Sequence, residues 1–180
     1  ISLSSIKHVL VGGGPIPNTL IERACHLPIH TTYGMTELCS QLCTTPQRAS
    51  PSTLKTAGYP LQGWEVKISA QKEICARGAA LFLGYWTEKG LQLPLDEDGF
   101  FHTGDQGTID EKGRLLVLGR CDQMFISGGE NIHPEEIERC LCSIPNVEAA
   151  LVFSVDHTEY GKRPAALIKG VVSLNIIKAH

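Results

Sequence analysis

Three short blocks of this sequence carry residue types that could do chemistry. In Tyr33-Gly34-Met35-Thr36-Glu37 an aromatic ring, a hydroxyl and a carboxylate surround a glycine. Extended residues precede Gly34 and a helical pattern follows it. A ligand at that turn would lie beyond a strand's carboxyl end and at a helix N-terminus, a place that favours anions. Tyr33 could stack on a base, Thr36 could bond a phosphate and Glu37 could hold Mg2+. The same residues also suit a plain helix start, with Thr36 as N-cap and Glu37 as first-turn acid. In Phe101-His102-Thr103-Gly104-Asp105, Gly104 reads as a turn that leaves Asp105 isolated beside a strand. A fixed aspartate can accept both hydroxyls of a ribose, or it can bond its own backbone as a turn residue. In the run from Gly119 to Glu138, Gly119, Arg120 and Asp122 separate two stretches of different texture. Such a junction serves as a hinge or as an ordinary linker. From residue types alone these alternatives stay open.

The elements that must position these residues follow from periodicity. Ile6–Val11 reads as a buried strand, broken by Gly12-Gly13-Gly14-Pro15. Leu20, Ile21, Ala24 and Leu27 predict a helix from Pro17 to Leu27, with proline in its first turn. Ile29–Tyr33 is a second strand, and Leu38 and Leu42 predict a short helix over Thr36–Cys43. This order is an α/β pattern and predicts a parallel sheet. From about Pro46 to Gly119 the chain is β-prone, with Trp64–Ser69 and Glu73–Ala76 alternating. Asp110-Glu111-Lys112-Gly113 signals a hairpin between Gly107–Ile109 and Leu115–Leu118. Beyond Arg120 come a strand at Met124–Ser127, Gly128-Gly129 and a helix from Pro134 whose apolar face is Ile137, Cys140, Leu141 and Ile144. Strands at Val147–Val155 and Ala165–Ile168 close the pattern. The expected fold is an α/β and β-rich part over 1–119, followed by a small α+β domain over 120–180.

Composition narrows the function classes. The chain has 180 residues, 42% hydrophobic and 19% charged, so a packed core is expected and global disorder is not. A net charge of −3 offers no basic field to a nucleic acid. No apolar run reaches the roughly 18 residues of a membrane span, and no signal peptide is visible. Seven cysteines, an odd number in a chain of this size, favour reduced thiols and a cytoplasmic location over a disulfide scaffold. Cys39 and Cys43 are four apart, as are His26 and His30, but no second pair matches them as zinc sites require. The sequence opens at Ile1 without a methionine and stops at His180, and it is expected to be a piece of something longer. No pattern in it fixes an oligomeric state.

Taken together and in this order, YGMTE, the GYW after Glu73-Ile74-Cys75-Ala76, HTGD and GRCDQMFISGGENIHPEEIE resemble the core motifs of the ANL superfamily of adenylate-forming enzymes. The resemblance runs through essentially the whole chain. It implies an ATP-dependent acid–thiol ligase: a carboxylate attacks the α-phosphorus of Mg·ATP, and the thiol of coenzyme A then displaces AMP. By this resemblance Gly13 and Gly14 line the acyl and adenine pockets, and Tyr33, with Gly34 beside it, packs on adenine. Thr36 bonds a phosphate and Glu37 carries Mg2+. Asp105, helped by Arg120, holds the ribose hydroxyls. Asp122 is the pivot of a mobile small domain, and Gly128 and Gly129 line the path of coenzyme A.

Two family parts are not found. No Ser/Thr/Gly-rich phosphate loop occurs, and Gly161-Lys162 comes too soon after the Val147–Val155 strand to be the catalytic lysine motif; Lys162 reads as a loop residue. The isolated chain is therefore expected to be inactive. Within the superfamily, SGGENIHP, Cys39-Ser40-Gln41 and GYPLQGWEVKI look most like the bacterial 2-succinylbenzoate–CoA ligases of menaquinone synthesis. Ser40 would then lie near the acyl site, where its hydroxyl could bond a substrate carboxylate, or it is a helix-surface serine. Benzoate-type ligases share much of SGGENIHP, and an isolated piece that binds nucleotide without catalysis is the competing class.

Overall fold

The computed structural model describes residues 5–172, so the outermost residues of both expected domains, 1–4 and 173–180, lie outside it. β1 (Val9–Val11) leads through the glycine turn to α1 (Asn18–Ala24) and back to β2 (Ile29–Tyr33). These two strands are parallel. The next two, β3 (Cys43–Thr44) and β4 (Tyr59–Pro60), are separated by the short α2 (Pro51–Leu54), and both pair antiparallel. The first sheet, in order β1-β2-β3-β4, is thus mixed, not parallel throughout as the α/β pattern predicts.

The predicted Thr36–Cys43 helix is also absent. A single 3-10 turn, Thr36–Leu38, stands there, and Cys39 and Ser40 follow with φ of 49° and 98°. Leu38 and Leu42 are both fully buried, as their spacing suggests, but the chain between them runs left-handed. Long-range bonds fix it: Leu42 N–H donates to the Tyr33 carbonyl at 2.8 Å, and Phe82 N–H donates to the Glu37 carbonyl at 2.8 Å.

The middle of the chain is a four-stranded antiparallel sheet in order β10-β9-β6-β5. Its members are β5 (Trp64–Ile68), β6 (Glu73–Gly78), β9 (Phe101–Ile109) and β10 (Leu115–Arg120). A small hairpin of β7 (Tyr85–Thr87) and β8 (Gly90–Gln92) projects between β6 and β9. The two sheets meet along a seam at Ala57–Gly58, where Ala57 N–H donates to the Leu115 carbonyl and Leu115 N–H to that of Gly58, both at 2.8 Å. Leu38, Leu42, Cys43, Ile74, Ala76, Phe101 and Leu115 form the core under that seam. Full burial of one such leucine or isoleucine contributes about 1.5–3 kcal/mol.

After Arg120 come a hairpin of β11 (Phe125–Ser127) and β12 (Glu130–Ile132), α3 (Pro134–Leu141), and a long hairpin of β13 (Val147–His157) and β14 (Gly161–Gly170). Its own apolar cluster is Leu141, Ile144 and Val152. Of the apolar face expected on α3, Cys140 is exposed. Lys162 is not a loop residue: it lies in β14 opposite Asp156, because the hairpin turns earlier, at Thr158–Tyr160. Among the described residues no helix is long and apolar enough to cross a membrane.

Candidate active site

Six of the residues singled out in the sequence line one cleft of about 660 Å3: Gly13, Gly14, Tyr33, Gly34, Asp105 and Arg120. This volume suits a small-molecule ligand. One wall is the β1–α1 turn and the end of β2, another is the edge of β10, and α3 closes the side with Glu135, Glu136, Glu138 and Arg139. Tyr33 ends β2, and Gly34 follows because no other residue fits: a Cβ at Gly34 would overlap the Ser40 carbonyl.

Asp105 is not the isolated turn residue that the sequence suggests. It sits within β9, in a bulge where Thr103, Gly104 and Asp105 stand opposite the single Ile74 of β6. Gly104 supplies the left-handed residue of that bulge, with φ of 74°. The Tyr33 hydroxyl donates to Asp105 Oδ2 at 2.6 Å, and Arg120 Nη1 donates to Oδ1 at 3.2 Å. Burial first, and then the Asp105 carboxylate, pushes the Tyr33 phenol far above its ordinary range, so it stays a neutral donor. Arg120 also reaches Asp122 Oδ1 through Nε at 3.2 Å. That bond holds the Asp122 carboxyl below its usual range. One guanidinium therefore links the carboxylate in the cleft to the carboxylate at the junction.

The other expected residues do not line the cleft. Thr36 is exposed and caps no helix, since the cap position belongs to Met35 and no side chain bonds there. Glu37 is half-buried and accepts the Tyr85 hydroxyl on Oε1 at 2.9 Å. Ser40 is exposed on its left-handed turn, not on a helix surface. Gly128 and Gly129, with φ of 58° and 91°, form the tight turn between β11 and β12. Gly128 packs on the Tyr160 ring, where a Cβ would come within 2.9 Å.

Sequence reasoning missed two carboxylates. Glu135, 9% exposed in the first turn of α3, accepts the Arg120 backbone N–H on Oε1 at 3.1 Å and packs against Gly119. Its place in an acidic first turn gave no sign of a contact across to β10. Glu73 accepts the Gly104 N–H on Oε1 at 2.8 Å and bonds His102 Nδ1 through Oε2 at 2.7 Å. As part of a β-prone run it carried no signal of its own.

Residues 1–86 match the family model described as AMP-binding enzyme. By this match and by its relatives the chain resembles the AMP-binding enzyme family. A 2-succinylbenzoate–CoA ligase of Bacillus licheniformis is 39% identical in an alignment that covers 91% of this chain and 37% of that protein. The Bacillus subtilis o-succinylbenzoate CoA synthetase in complex with the acyl-adenylate intermediate OSB-AMP superimposes with a TM-score of 0.84 at 35% identity, over 97% of this chain and 39% of that one. The same enzyme in complex with ATP and magnesium ion gives a TM-score of 0.80 at 33% identity, over 98% of this chain and 41% of that one. The chain thus spans a little over a third of the length of the curated relatives it matches.

Proposed function

We propose that the protein is an AMP-forming acid–coenzyme A ligase whose acid is 2-succinylbenzoate, a step of menaquinone synthesis. The observation that carries the proposal is the Tyr33–Asp105–Arg120 constellation lining a cleft of small-molecule size. It is supported by the relatives' sequences and by the adenylate and ATP complexes of the structures that this chain resembles.

In this proposal AMP lies in the cleft, with its ribose hydroxyls on Asp105 and its base between the Tyr33–Gly34 turn and Gly13-Gly14. The Asp105 carboxylate is pinned by two donors before any ligand arrives, so little reorganisation accompanies binding. Arg120 is charged at all relevant pH and offsets the carboxylate. Thr36 donates its hydroxyl to a phosphate. Glu37 fits Mg2+: it offers one carboxylate, steadied by Tyr85 on a single oxygen. One carboxylate plus substrate phosphates is the usual way this ion is held. When bound, the ion neutralises charge on the transferring phosphate. Ser40 meets the acid, and the Gly128-Gly129 turn lines the path of coenzyme A. Residues 1–119 belong to the large domain and residues 120–180 to a small mobile one, supported by the separate Leu141–Ile144–Val152 cluster. Asp122 is its pivot. A cytoplasmic location belongs to the same reading, supported by seven unpaired cysteines.

The test is acid-dependent pyrophosphate release from the protein at its full natural length, with ATP, Mg2+ and 2-succinylbenzoate beside benzoate and a fatty acid. Release that is greatest with 2-succinylbenzoate, followed by thioester formation with coenzyme A, is the expected result. Absence of release with every acid refutes the ligase reading. Greater release with benzoate refutes the substrate.

A further inference from the structure

Asp105 projects from the bulge in β9, and the bulge has its own support. A bulge leaves ladder groups unpaired, and each one buried without a partner is destabilising. Here side chains and a neighbouring segment take them up. The Thr103 hydroxyl donates to the Ile74 carbonyl at 2.8 Å and accepts the Asp105 N–H at 3.2 Å. The Gly104 carbonyl accepts the Cys121 N–H at 2.8 Å. The Gly104 N–H donates to Glu73 Oε1 at 2.8 Å. Glu73 is in turn held by His102 Nδ1 at 2.7 Å, and His102 Nε2 faces Asp96 Oδ2 at 3.5 Å. The Cys75 thiol lies 3.7 Å from His102 Nδ1, and burial pushes it up to about 11, so it stays neutral. Gly104 is also the floor on which Arg120 rests: a Cβ there would come within 3.3 Å of Nη2.

We infer that Glu73, steadied by His102, is the positioning residue of the ribose-binding site: by holding the Gly104 N–H it fixes the bulge that points Asp105 at the two hydroxyls. The inference rests on the reading of Asp105 as the ribose acceptor. Glu73 touches no ligand and acts through the backbone of Gly104. It is the only carboxylate among the described residues that bonds a backbone N–H of this bulge. A charged acceptor on a backbone N–H is among the stronger hydrogen bonds. Without it the left-handed residue loses the contact that selects its conformation, and Asp105 is free to swing away from Tyr33 and Arg120.

The test compares nucleotides within one preparation, so any loss of folded protein cancels. In the full-length protein, Glu73→Ala is expected to raise KM for ATP about tenfold, a change of about 1.4 kcal/mol. With 2′,3′-dideoxy-ATP, which lacks both hydroxyls, the same variant should differ from the native protein by less than about twofold. Glu73→Gln keeps an acceptor for the Gly104 N–H and should restore most of the ATP affinity. Asp105→Ala is the control, with the same dependence on the hydroxyls. An equal loss with ATP and the dideoxy nucleotide makes Glu73 merely structural and overturns the inference. So does an unaffected Glu73→Ala beside a damaged Asp105→Ala. If Asp105→Ala is itself indifferent to the hydroxyls, the ribose reading fails, and the inference falls with it.

Discussion

The Tyr33→Phe substitution removes one oxygen and isolates the bond that joins the two sheets at the site. The bond is short, 2.6 Å, and ends on a carboxylate. Hydrogen bonds to charged groups contribute about 1.5–3 kcal/mol net. The Asp105 side chain is 13% exposed, so water can replace the lost donor only in part, and Arg120 remains on the other oxygen. We expect a loss of about 2 kcal/mol, the middle of that range. In a chain of this size that lowers Tm by about 4–8 °C. The assay is urea unfolding with unchanged m-value, run as a double-mutant cycle with Asp105→Ala. With Asp105 gone the phenol is a buried donor without an acceptor, so removing it then costs less than about 0.5 kcal/mol or even stabilises. An equal cost of Tyr33→Phe in both backgrounds would refute the coupling and leave Tyr33 as core packing.

Three further outcomes are expected. Gly34→Ala should destabilise the protein by more than about 3 kcal/mol, because the new methyl group overlaps the Ser40 carbonyl and neither backbone can yield; denaturant midpoints measure it. The Phe100 backbone N–H, and then Lys67, hold the Asp96 carboxyl down to about 2, against about 3.9 in an unfolded chain. Its stabilising share is present above about 3.9 and lost as pH falls towards 2, so Asp96→Asn should flatten the dependence of Tm on pH in that window. Glu73 raises the His102 pKa by hydrogen bonding, so His102 contributes fully below about 6.5 and progressively less as pH rises through its raised value; His102→Gln should remove that decline in Tm.

What was legible in the sequence was local. The alternation of Trp64–Ile68 and the Asp110–Gly113 turn signal reappear as β5 and the β9–β10 hairpin. Pro134 and the periodic Ile137, Leu141 and Ile144 reappear as α3 and the cluster beneath it. The failures are places where a distant partner outweighs local preference. Leu38 and Leu42 have helical spacing, yet bonds to Tyr33 and Phe82 draw the segment into a left-handed turn. Gly104 was readable as a residue needing positive φ, but a turn and a bulge share that signal, and only the pairing with β6 distinguishes them. Glu73 and Glu135 act through backbone groups 31 and 15 residues away, which no local pattern encodes.

The candidate site sits on a seam, and that explains its composition. Tyr33 ends a strand of the first sheet and Asp105 belongs to the second. They meet because the two sheets are bonded to each other at Ala57–Gly58 and Leu115. Gly58 has φ of 77° and packs on the backbone of Thr44 and Thr45, so the seam has no room for a side chain there. A cleft at such a seam has walls from both sheets: the end of β2 and β10 pack on the Leu38–Leu115 core, while β1 and α1 pack on a second cluster of Ile21, Ile29 and Leu54. The third wall, α3, reaches the seam through one carboxylate on the Arg120 backbone. Two walls are therefore fixed by core burial and one by a single hydrogen bond and its packing on Gly119. The proposed movement of the part after Arg120 fits that unequal attachment, because breaking one bond costs far less than opening a core.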